Sequence, residues 1–141
     1  MTKKSIFQTG FLTTAKAYWI SILLCAVILI LCFINTKELP KAPMTNFDKV
    51  VHLVMFLGLS GAVFFDNTRY LKKRISFQRI FWGSFIFPTA LSGSIEIMQE
   101  YFTTTRTGDW MDFLFDGIGA ALGLLICIAL NKRLKESSER R

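Results

Sequence analysis

Residues 20–34 run without a single charged side chain, and no polar stripe recurs along them at helical spacing. A helix that is apolar all round has to be enclosed by protein or by lipid, and a chain of 141 residues has little protein to spare for that. Three further windows share this character, so that apolar segments fall at residues 17–35, 49–65, 80–101 and 113–130. Crossing about 30 Å of hydrocarbon takes roughly 20 helical residues, with a lower limit near 17. The expected fold is therefore all-α: a polytopic membrane protein with four transmembrane helices in a small antiparallel bundle. Tyr18 and Trp19 stand at the entry of the first window, where interfacial aromatic rings are expected.

Composition supports lipid over water. Apolar residues make up 52% of the chain and charged residues 19%, below the roughly one quarter usual in soluble domains. A cleaved signal peptide is not expected. The first apolar run exceeds the 7–15 residues of a signal core, and residues 35–40 lack a small-x-small cleavage site.

The formal charge of +7 suggests nucleic acid only until its distribution is considered. Of 17 Lys and Arg residues, 13 lie before the first window, between the second and third, or after the fourth. The other four are Lys37, Lys41, Lys49 and Arg106. Under the positive-inside rule this alternation predicts that both termini and the middle loop are cytoplasmic, the chain sitting in the inner (cytoplasmic) membrane. The basic segments then serve as topology signals and as contacts to anionic headgroups. No nucleic-acid partner is expected. Cys25, Cys32 and Cys127 all fall in apolar windows and are odd in number, which argues against a disulfide framework.

The organisation expected is a basic amino-terminal segment (1–16), a transmembrane domain (17–131) and a basic tail (132–141). Ile6, Phe7, Phe11 and Leu12 permit a short amphipathic helix along the inner surface. Residues 66–79 form the middle loop. Pro88 should bend the third span. After it, Ser92, Gly93 and Ser94 make a small surface, and Gly119 and Gly123 form a GxxxG pair on the fourth span. Such surfaces allow close helix approach, so spans three and four are expected to pack through them.

Polar residues within these spans mark a candidate site, because ionisable groups are costly in lipid and usually face a bundle interior or a wet cavity. Asp48 and His52, the chain's one histidine, are i,i+4 at the start of span two. Glu96 and Gln99 are i,i+3 near the end of span three, with Glu100 beside them, and Asp112 and Asp116 begin span four. The topology sets all three groups within about two helical turns of the outer surface. Arg106, in the second outside loop, is placed to neutralise part of this charge. Asp48 and Asp112 are also candidate helix caps. Glu96 has no capping role, and only a neutral state or an internal ion pair suits it.

These residues resemble the VanZ-like family of small bacterial membrane proteins, named after a teicoplanin-resistance accessory protein. The resemblance covers residues 47–130. It rests on Asp-x-x-x-His (Asp48, His52), Glu-x-x-Gln (Glu96, Gln99), then Arg106, Asp112, Asp116, Gly119 and Gly123. Asp116 departs from the pattern, which more usually shows Asn there. The resemblance implies a small helical membrane bundle and a role in glycopeptide resistance or envelope upkeep, for a family with no agreed molecular activity.

Two main functions follow as expectations. In the first, an accessory protein binds a lipid-linked precursor, an anionic lipid or a membrane partner in a polar pocket of Asp48, His52, Glu96, Gln99, Arg106, Asp112 and Asp116. In the second, a membrane hydrolase or transferase uses Asp48 and His52 as an acid–base pair and Arg106 as a phosphate ligand. No Ser or Cys nucleophile motif accompanies them. A small ion carrier or a divalent-cation site built from Asp48, His52, Glu96, Asp112 and Asp116 is a further reading. The chain has no HExxH-type signature, so no metal or cofactor is expected.

Overall fold

The computed structural model describes residues 13–34, 47–71, 76–104 and 107–140, and every element among them is helical. After a helical turn at 13–17 come α1 (Trp19–Phe33), α2 (Phe47–Leu71), α3 (Phe77–Phe102) and α4 (Trp110–Glu139). α2, α3 and α4 are long and apolar enough to cross a membrane, which makes this a membrane protein. α1 carries no charge but has only 15 residues, about 22 Å of helix. The amphipathic reading of Ile6 to Leu12 lies outside the described residues.

Side-chain contacts fix the helix directions. Asp66 near the end of α2 meets Ser21 near the start of α1, while the Cys32 carbonyl near the end of α1 meets Gln99 near the end of α3. Helices consecutive in sequence therefore run antiparallel, and α2 runs parallel to α4. The starts of α2 and α4 and the end of α3 meet at one end of the bundle. A core of Ile28, Cys32, Phe56, Leu59, Val63 and Ile95 joins the first three helices. Leu23, Ile30, Val54, Ile97, Leu114 and Leu125 are exposed outside, as a lipid-facing surface requires.

The closest approach is between α2 and α4, and it corrects the expected pairing of spans three and four. A Cβ added to Gly119 would collide with the Leu53 carbonyl oxygen, and one on Gly123 would lie 2.6 Å from that of Leu57. The GxxxG face thus seats α4 against the α2 backbone, where any side chain would hold the helices apart. The small residues of α3 are used separately. Ser92 bonds Asp116, Gly93 lies 3.3 Å (as a Cβ) from the Phe113 ring, and exposed Ser94 bonds the Ala90 carbonyl.

Just ahead of Pro88, where a bend is expected, α3 holds a π-helical turn at Trp82–Ile86, closed by the Phe87 amide donating to the Trp82 carbonyl. Proline offers no amide and its ring crowds the carbonyl four residues back, so the wider turn relieves that clash.

α4 runs unbroken to Glu139, so the basic tail continues it as helix. Asp66, assigned to the middle loop, is instead a wholly buried residue of α2. Its Oδ2 accepts from the Ser21 amide (3.0 Å) and hydroxyl (2.7 Å), and the Tyr18 hydroxyl donates to neighbouring Asn67 (2.7 Å). These bonds tie α1 to α2 at the end of the bundle away from the candidate site.

Candidate functional site

The site is assembled where the starts of α2 and α4 meet the end of α3. On α2, Lys49, His52 and Phe56 follow i, i+3, i+7 spacing, so the face that contributes Phe56 to the core also turns Lys49 and His52 inward. On α4 the cap is Asp109, whose side chain accepts from the Met111 amide at 2.8 Å. This displaces the capping role expected of Asp112 and leaves Asp112 and Asp116, one turn apart, to face α2 and α3.

At the centre, His52 Nδ1 lies 3.1 Å from Asp116 Oδ1, and the Ser92 hydroxyl donates to Asp116 Oδ2 at 2.6 Å. All three residues are buried, His52 at 4% exposure and Asp116 at 1%. Asp116 thereby holds the imidazole with Nδ1–H toward itself and Nε2 toward Asp112, whose Oδ2 is 3.9 Å away. The order Ser–Asp–His sets the carboxylate between hydroxyl and imidazole. Ser92 consequently bonds the carboxylate and not the imidazole, so it lacks the histidine-activated arrangement of a serine nucleophile.

Lys49 closes the site toward the chain ends. Its ammonium donates to Asp109 Oδ2 (2.8 Å) and Asp112 Oδ1 (3.0 Å). Asp109 lies ahead of the α4 span, and the Lys49 ammonium, aided by the Met111 amide, holds its carboxyl below the usual range. Glu96 Oε2 accepts the Asp109 amide at 2.8 Å, while its Oε1 is buried with no hydrogen-bond partner. Beside it, the Gly108 amide donates to Glu100. A Cβ at Gly108 would lie 2.6 Å from the Glu96 carbonyl, so glycine lets this loop rest on the α3 backbone.

Of the residues singled out from sequence, His52, Glu96, Asp112 and Asp116 converge. Asp48 does not: its side chain is 57% exposed and lies 4.0 Å from Lys49. Gln99 is buried but donates to the Cys32 carbonyl at 2.8 Å, tying α3 to α1. Arg106 lies outside the described residues. The sequence reading missed Lys49, Asp109 and Ser92. The i,i+3 spacings Lys49–His52 and Asp109–Asp112 were available as signals for two of them.

A family model described as VanZ/LLP1 matches residues 4–131. Comparison with curated proteins and with solved structures yields no match.

Proposed function

Because the chain belongs to the VanZ/LLP1 family, we propose that it is a cell-envelope accessory protein of the bacterial inner membrane that lowers susceptibility to glycopeptides such as teicoplanin. In this reading α1 completes a set of four spans and both termini are cytoplasmic. The polar end of the bundle then faces outward and takes the anionic head of a lipid-linked envelope precursor or of a lipid. One observation carries the reading: the buried, unpartnered Glu96 Oε1 beside His52, Asp112 and Asp116. Asp66 Oδ1 at the other end of the bundle is unpartnered too, but Glu96 Oε1 alone has an imidazole and two further carboxylates for company, and a donor from a bound head would relieve its cost of about 1–3 kcal/mol. Lys49 keeps one N–H beyond its bonds to Asp109 and Asp112 for an anionic group, and the Glu96 Oε1 acceptor suits a hydroxyl or amide donor on the same head.

A hydrolase or transferase on a lipid-linked substrate is the second reading. The orientation of His52 by Asp116 favours it, because an imidazole so held presents Nε2 as a base. Asp116 takes the part that the sequence assigned to Asp48.

Two experiments test the proposal. A reporter active only in the periplasm, fused after Arg141, is expected to give no signal, following the division of 13 basic residues against four. A strong signal would reverse the topology and put the polar end in the cytoplasm. Expression in a susceptible host is expected to raise the teicoplanin concentration needed to stop growth. An unchanged susceptibility, with the protein present in membranes, would reject the envelope role.

A further inference from the structure

The charges at the site do not balance among the described residues. Glu96, Asp109, Asp112 and Asp116 are four carboxyl groups within one end of the bundle, facing one ammonium and one imidazole. The ammonium is committed: Lys49 bonds Asp109 and Asp112, which leaves Glu96 and Asp116 with His52. Donor atoms from these three residues all lie within 4.8 Å of one another, and all three side chains are buried. Carboxyl groups confined this way in a low-dielectric interior need either protons or a counter-charge.

An independent feature points to what supplies it. Glu96 is 9% exposed, its Oε2 is taken by the Asp109 amide, and Oε1 has no partner. Oε1 is thus the oxygen left for the cluster. We infer that His52, Glu96 and Asp116 form a binding site for a divalent transition cation of the zinc or manganese class. On binding, the ion replaces the hydrogen between His52 Nδ1 and Asp116, leaving the imidazole hydrogen on Nε2; one imidazole nitrogen with carboxylate oxygens suits such borderline ions, whereas magnesium and calcium favour all-oxygen sets. Two ligands of one ion at about 2.2 Å lie no more than about 4.4 Å apart. Donors now within 4.8 Å would therefore move together by a few tenths of an ångström, within the reach of side-chain rotation. Ser92, donating to Asp116, would steady one carboxylate from behind, as outer partners of metal ligands commonly do.

This site narrows the sequence-based reading of five residues to three, since Asp48 faces outward and Asp112 serves Lys49. It concerns the same cluster as the proposed ligand pocket but is read on purified protein. An envelope role can fail while the ion binds, and the reverse. The test uses the full chain without a histidine tag, purified in detergent, stripped with chelator and reloaded with Zn2+ or Mn2+ separately. About one retained ion per chain is expected by elemental analysis for at least one of the two, with excess Mg2+ failing to displace it. His52→Gln and Glu96→Gln should each weaken retention at least tenfold, while Asp48→Asn keeps it. Since the chain has a single histidine, its imidazole 15N resonances give a readout that needs no variant to fold. Adding Zn2+ to the wild-type protein should shift them. No retained ion, retention unchanged by His52→Gln, or unshifted imidazole resonances would overturn the inference.

Discussion

Gly119→Ala is expected to lower the amount of folded protein in membranes several-fold, and Gly119→Leu to remove nearly all of it. The methyl of alanine would run into the Leu53 carbonyl, part of a helix backbone that cannot rotate aside as a side chain can. α4 would have to lift off α2, and Gly123 would lose its seat against Leu57 and Ser60 one turn further on. Overpacking of this kind costs about 3 kcal/mol, and losses of 1–2 kcal/mol already change abundance several-fold. Gly117→Ala is the matched control. A Cβ there meets nothing within 4 Å, so it should be neutral or slightly stabilising through helix propensity. Thermal unfolding in detergent and membrane abundance both measure the effect. Equal behaviour of the Gly119 and Gly117 variants would mean that α2 and α4 do not touch along this face.

Asp116→Ala is expected to destabilise the bundle by about 3–5 kcal/mol, the usual cost of removing one partner from a buried pair. It would strand the His52 Nδ1 and the Ser92 hydroxyl, both buried and both bonded to this one carboxylate. Asp116→Asn should be far milder, under about 1.5 kcal/mol, the net worth of one hydrogen bond. Its carbonyl accepts from Ser92, and its amide can donate to Nδ1 once the imidazole hydrogen sits on Nε2. That exchange turns Nε2 from acceptor to donor, so the variant should fold yet lose whatever chemistry needs a lone pair there. If Asp116→Ala melts with the wild type, the Ser92–Asp116–His52 link does not hold the helices together.

How much of this the sequence disclosed follows from which signals were local. Apolar windows located the helices, because the need for lipid burial is written into each window by itself. That His52, Glu96, Asp112 and Asp116 gather at one end of the bundle was legible too, since three segment ends agreed independently. Faces were harder. Asp48 and Lys49 both lie within one turn of His52, and spacing alone does not say which turns inward. The acidic start of α4 decides it by drawing in the ammonium of Lys49 and leaving Asp48 outside. Asp66 was placed in a loop because a charge ends an apolar run. Its partner Ser21 is 45 residues away, and no local pattern reveals such a pairing. The glycines announced a close contact without naming the partner, since a stripe of small residues fits any helix that can reach it. Lys49 was counted only as a topology charge, and that hid its place at the site.

The central claim is that charge buried at the polar end of the bundle does something besides hold helices together. Glu96→Gln tests it most directly, because the amide keeps the shape of the side chain and leaves a carbonyl oxygen to accept the Asp109 amide. The measurement is teicoplanin susceptibility of cells carrying wild type or Glu96→Gln, at membrane levels shown to be equal by blotting. Susceptibility equal to that of cells without the protein is the predicted result. Full protection by Glu96→Gln would contradict the account and reduce the cluster to structural hydrogen bonding.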